Sequence, residues 1–101
     1  MHTRKRIELI IEKMAYKRAG RIFESVNVSG YTVIPALAGY GNGNKWQRDQ
    51  DISGSRDMVM IVSICDAETA EKALEQMSSL LGEHVGVITI SDVTVMRPER
   101  F

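Results

Sequence analysis

The run Gly39-Tyr40-Gly41-Asn42-Gly43-Asn44-Lys45-Trp46 opens a polar stretch that reaches Ser55, and that stretch holds four of the eight glycines and the only tryptophan of the 101-residue chain. Alternating glycines can adopt positive φ and turn successive backbone N–H groups toward one point, which is how main chain binds a small anion. Gly39, Tyr40, Gly41, Asn42, Gly43 and Lys45 are therefore the candidate anion site. Trp46, with Arg48 close behind it, is the candidate for docking on a partner, because a large aromatic in a polar loop has to pack on something. A tight hairpin around Asn42-Gly43 is the plainer reading of the same residues. Connections longer than about 12 to 15 residues, however, are uncommon without a binding or switching role. Gly82-Glu83-His84-Val85-Gly86 reads as a helix stop and a turn. In Arg97-Pro98-Glu99-Arg100-Phe101, Pro98 stiffens a segment whose two guanidiniums could grip phosphate, although terminal arginines are ordinarily solvated charges.

Several chemistries are excluded by the same residues. Gly39-x-Gly41 lacks the third glycine of a dinucleotide-binding fingerprint, where Asn44 stands, and no helix pattern follows it. Gly43-Asn44-Lys45-Trp46 does not supply the Gly-Lys-Ser/Thr of a phosphate-binding P-loop. His2 sits in a frayed start, and His84 has no nucleophile or carboxylate at fixed spacing beside it, so no catalytic set is expected. Thirteen basic and thirteen acidic side chains cancel, leaving no whole-molecule field to attract nucleic acid or anionic membrane. Cys65 lies alone in an apolar run, which fits a core position in a reducing, cytoplasmic setting and neither a disulfide nor a metal cluster. The basic start is followed by an apolar stretch of only Ile7 to Ile11, interrupted by Glu8, which is neither a signal sequence nor a membrane span.

The elements that must position these residues follow from periodicity. Arg6 to Lys13 reads as a strand. Ala15, Ala19, Ile22, Phe23 and Val26 recur at helical spacing, and the pattern stops at Asn27-Val28-Ser29-Gly30. Tyr31 to Ala38 is a second strand, placed at a sheet edge by Pro35, which has no N–H to give a ladder. Asp57 to Cys65 is a third strand, apolar on both faces and free of the stacking aromatics an RNA-binding sheet would show. Asp66 is a plausible N-cap for a second helix carrying Ala70, Ala73, Leu74, Met77, Leu80 and Leu81 on one face, with Gly82 at its stop. Val85 to Met96 is the last strand, and a shift in its apolar parity near Thr89 and Ser91-Asp92 suggests a bulge or break. The order is βαββαβ, an α+β ferredoxin-like sandwich with two helices on one face of an antiparallel sheet. Because two helices cover one face only, the other is expected to pack against further copies of the chain.

Gly30-Tyr31-Thr32-Val33, then Gly39-Tyr40-Gly41 opening a long loop, then a final strand running into Arg97, resemble the PII signalling family over essentially the whole chain. The resemblance implies a single domain over residues 1–101, assembled as a homotrimer, with adenine nucleotides in the three clefts between neighbours. It also implies a T-loop at about residues 39–56 that docks on a target, such as a transporter. By position, Thr32 would bound the adenine site and Gly39 and Gly41 would form the loop base. Ser63 and Ile64 would line the base pocket, His84 and Gly86 would face the phosphates, and Arg97 and Arg100 would add charge. Nitrogen-sensing members carry an Arg-Gln pair after the Gly-Phe-Gly and a modifiable tyrosine farther out; here Asn42-Gly43-Asn44 follows Gly41 and no tyrosine lies beyond Tyr40. The phosphate loop is shortened to Gly82 through Gly86. These departures look more like the carboxysome-associated, inorganic-carbon branch, whose members bind ADP or AMP and respond to bicarbonate, with ATP as a further candidate ligand. An amino-acid-binding ferredoxin-like module, a nitrogen-type regulator and an assembly protein with a docking loop are the alternatives.

Overall fold

The computed structural model of the chain describes residues 2–41, 43–47, 57–97 and 99. Strand β1 (His2–Glu12) obeys the two-residue period of a pleated strand. Its Ile7, Leu9 and Ile11 are fully buried, whereas Arg6, Glu8 and Ile10 face the other way. A single 3-10 turn, Lys13–Ala15, leads into helix α1 (Tyr16–Ser25). Ala15, Ala19 and Phe23 recur every four residues along this segment and are fully buried. The helix ends where Asn27 takes φ 65°, a left-handed stop that asparagine tolerates. There follow β2 (Thr32–Pro35), β3 (Ala38–Gly41), β4 (Asn44–Gln47), β5 (Met58–Cys65), α2 (Ala67–Glu83) and β6 (Gly86–Val95).

Four strands form one antiparallel sheet in the order β2-β5-β1-β6, and β3 and β4 form a separate hairpin inserted between β2 and β5. Without the hairpin the chain is the ferredoxin-like sandwich. Both helices lie on the face carrying Ile7, Leu9, Ile11, Val59 and Ile61, and close the core with Ala19, Phe23, Ala73, Met77 and Leu80. The N-cap of α2 is Asp66, whose Oδ1 accepts the Thr69 N–H at 2.8 Å, and this bond holds its carboxyl below the ordinary aspartate range. Pro35 ends an edge strand, where a missing N–H breaks no ladder bond.

The uncovered face is apolar in one complete row. Cross-strand pairing sets Ile34 beside Met60, Met60 beside Ile10, and Ile10 beside Val87, and paired residues of antiparallel strands share a face. The adjoining row is Thr32, Val62, Glu8 and Thr89. Beyond it, Arg6 lies between Ile64 and Ser91 and binds Glu8 at 2.9 Å.

Apart from shifts of one residue at element ends, the structure differs from the sequence reading in these respects. Strand β1 begins at His2 because the last strand pairs with its polar start as far as Val95. Strand β2 stops at Pro35, and α2 runs through Gly82 to a cap at His84. Strand β6 is unbroken from Gly86 to Val95. Its parity is loose because it is an edge strand with mostly exposed side chains, so few of its positions must be apolar.

Candidate functional site

The glycine run does not form the expected concavity of N–H groups. Gly39 and Gly41 lie in β3, paired with Trp46 and Asn44 of β4, and among the described glycines only Gly43, in the turn, has positive φ, at 77°. The described residues on either side of position 42 thus form a hairpin, with Gly43 in its turn. Gly39 has a different purpose: a Cβ there would lie 2.6 Å from Cζ2 of Trp46, so the indole packs directly across the strand on bare backbone.

Between the hairpin and one end of the uncovered face lies a cleft of about 500 Å³, large enough for a drug-sized ligand. Tyr40, Gly41, Asn44 and Trp46 wall it on the hairpin side, and Ile10, Glu12, Met58 and Val85 on the sheet side. Two aromatic rings, aliphatic walls and one carboxylate suit a flat, partly apolar ring system with polar substituents.

Glu12 builds the rim. Its Oε1 accepts the Val85 N–H at 2.8 Å and lies 3.3 Å from His84 Nδ1, while its own N–H donates to the Val85 carbonyl at 3.3 Å. The end of β1 thus clamps the α2–β6 connection and fixes His84 and Gly86 beside the cleft. Gly86 pairs with Ile11, and a Cβ there would meet the Ile10 carbonyl at 2.8 Å. Sequence reasoning found no carboxylate near His84, because the partner stands 72 residues away. Ile10, Glu12, Met58 and Val85 were likewise missed as site residues, since each reads locally as strand or turn.

The other expected site residues lie elsewhere. Thr32 is exposed on the edge strand opposite Val62, and Ile64 is half-buried on the uncovered face opposite Arg6. Ser63 is buried on the core side, its hydroxyl donating to the Gly30 carbonyl at 2.7 Å. Arg97 is exposed just past β6, at the end where His2 pairs with Val95. Gly86 and Arg97 are separated by the whole of β6, on the order of 30 Å at strand rise. One chain therefore gathers Gly39, Tyr40, Gly41, Trp46, His84 and Gly86 at one end of the sheet and places Arg97 at the other. Lys45 is exposed, pairs with Tyr40, and lines a second depression together with Tyr40, Trp46 and Gln47. Asn42, Arg48, Arg100 and the rest of residues 48–56 lie outside the described residues.

A four-stranded antiparallel sheet, helices on one face only, and a cleft beneath an inserted hairpin define a small ferredoxin-like α+β domain. Residues 4–100 match the family described as Nitrogen regulatory protein P-II, and the chain belongs to that family. It is 32% identical over 69 residues to a UPF0166 protein of Aquifex aeolicus, a match covering 68% of this chain and 64% of that relative. The chain thus matches somewhat under two thirds of the curated relative's length. Among solved structures it is similar to CPII, a nitrogen regulatory PII-like protein from Thiomonas intermedia K12, bound to ADP, AMP and bicarbonate. That match has 25% identity and TM-score 0.88, covering 99% of this chain and 94% of CPII. CPII bound to ADP, AMP and acetate matches at 26% identity and TM-score 0.81, covering 99% and 95%. No helix among the described residues is long and apolar enough to cross a membrane.

Proposed function

We propose that the chain is a cytoplasmic, non-enzymatic regulator that assembles as a trimer and binds ADP or AMP in clefts shared between neighbouring subunits, with bicarbonate as a second ligand. The observation that carries this reading is the division of the site. The aromatic cleft with His84 and Gly86 lies at one end of the sheet, bordered by the apolar row through Ile10, and Arg97 lies at the other end. In a closed ring each subunit would bring its Arg97 end to the cleft end of the next, with Thr32 and Ile64 completing the base pocket. Tyr40 and Trp46 suit an adenine ring, and Arg97 and His84 suit its phosphates. Arg100, if it joins Arg97, would add a second guanidinium.

The similarity to CPII supports the ligand class, since CPII was found with ADP, AMP and bicarbonate and also with acetate. By this reading bicarbonate binds at the hairpin base near Gly39 to Gly43, and the β3–β4 pairing of Gly39 and Gly41 yields to it. It orders the same turn that the nucleotide needs, so the two ligands tighten one another by an equal factor, about five- to 150-fold for a coupling of about 1 to 3 kcal/mol. The segment from about 39 to 56, including Arg48, would then report occupancy to a target protein, with a bicarbonate transporter or carboxysome component as the expected class.

Calorimetric titration with ADP at fixed pH and ionic strength, with bicarbonate, acetate or chloride as the varied anion, tests this. Tighter ADP binding in bicarbonate is expected. Equal affinity in all three would leave a nucleotide-binding protein and end the bicarbonate reading, and no ADP binding at all would end both.

A further inference from the structure

We propose that the crevice between β2, the start of β5 and the beginning of α1 is a second binding site, for a short amino acid in its zwitterionic form. The crevice encloses about 300 Å³ and is walled by Tyr16, Val33, Pro35 and Met58, with Asp57 inside it and Lys13 beside it. Asp57 is only 7% exposed, and its Oδ1 has no hydrogen-bond partner among the described residues. A buried carboxylate oxygen without a donor is costly, and native proteins keep few of them without a reason. An ammonium group entering the crevice would supply the missing donors, and the aliphatic walls would cover a stem of two or three carbons. Lys13 is exposed and forms no ion pair with Asp57, which leaves its ammonium at the mouth to receive the ligand's own carboxylate. An amine alone would meet Lys13 as a like charge; the zwitterion satisfies both groups. Met58 also walls the larger cleft, so occupancy here would be felt there.

The test is an amide NMR titration of the full chain with β-alanine, run beside propylamine and propionate as its two halves. Saturable shifts at Lys13, Met58 and Val59 are expected with β-alanine, with weaker binding of propylamine and none of propionate. Asp57→Asn keeps the shape of the site and is expected to weaken β-alanine binding at least about tenfold. The unliganded variant should melt no lower than the parent, because the change removes an unpaired buried charge. Unmoved amides, or β-alanine binding unchanged by Asp57→Asn, would overturn the proposal. Propylamine binding as tightly as β-alanine would overturn the zwitterion assignment. A lowered melting temperature for both unliganded Asp57→Asn and Lys13→Met would reveal an internal ion pair and also overturn it.

Discussion

The Trp46 indole lies so close across Gly39 that a methyl group at residue 39 would sit 2.6 Å from its Cζ2 and 2.7 Å from its Nε1. Gly39→Ala must therefore push the ring away, and because Trp46 is the only tryptophan, its emission reports the displacement directly. A red-shifted spectrum is expected, with the melting temperature changed little, since the hairpin lies outside the buried core. An unchanged emission maximum would show that the indole does not rest on Gly39.

Glu12 ties the end of β1 to the start of β6 through the Val85 N–H. Glu12→Ala removes that acceptor and is expected to lower stability by about 1 to 3 kcal/mol, whereas Glu12→Gln retains an acceptor and should lose less. Urea unfolding of the two variants measures the difference. Equal losses would mean that charge rather than the hydrogen bond matters at this position.

Met60 stands in the middle of the apolar row on the uncovered face, between Ile10 and Ile34. Met60→Glu places a charge where the proposed subunit contact forms, yet leaves the core on the opposite face intact. The variant is expected to keep its circular dichroism spectrum and to elute as a monomer by light scattering. A variant that still assembles would move the contact to another surface.

Arg97→Ala should weaken ADP binding about ten- to a hundredfold, the loss of one charge-assisted phosphate contact of about 1.5 to 3 kcal/mol. Joining Arg97→Ala subunits with His84→Ala subunits decides whether the site is shared. Mixed assemblies contain some clefts with both halves intact, so ADP binding should partly return. If mixing restores nothing, each site belongs to one chain.

The Asp66 cap gives a signed pH dependence. Its folded carboxyl titrates below the unfolded value through the bond from the Thr69 N–H. The stabilisation is thus fully present above the unfolded value of about 3.9 and is lost as pH falls through the lower folded value. Asp66→Ala should cost about 1 kcal/mol near neutrality, roughly 4 to 8 °C in melting temperature for a domain of this size. The gap between parent and variant should close in acid. A gap independent of pH would remove the ionised cap from the account.

The βαββαβ order, the edge position of Pro35, the Asp66 cap and the two apolar faces of β5 were legible along the chain, because each follows from local periodicity or from the backbone limits of one residue type. The sequence also marked Gly39 to Trp46 as the segment of interest. It did not show what those glycines do: only the tertiary structure lays the indole on Gly39 and turns an expected anion concavity into a hairpin ladder. Nor could spacing reveal Glu12 beside His84, 72 residues apart, or the orphaned Asp57 carboxylate, since these depend on which strand ends meet. The separation of Arg97 from Gly86 follows from strand rise alone, but that the cleft lies at the Gly86 end was hidden, because chain order says nothing of which end of an antiparallel strand faces a site. Local patterns fix elements through short-range sterics and solvent exposure; sites arise where elements distant in sequence converge, and that convergence is set by packing alone.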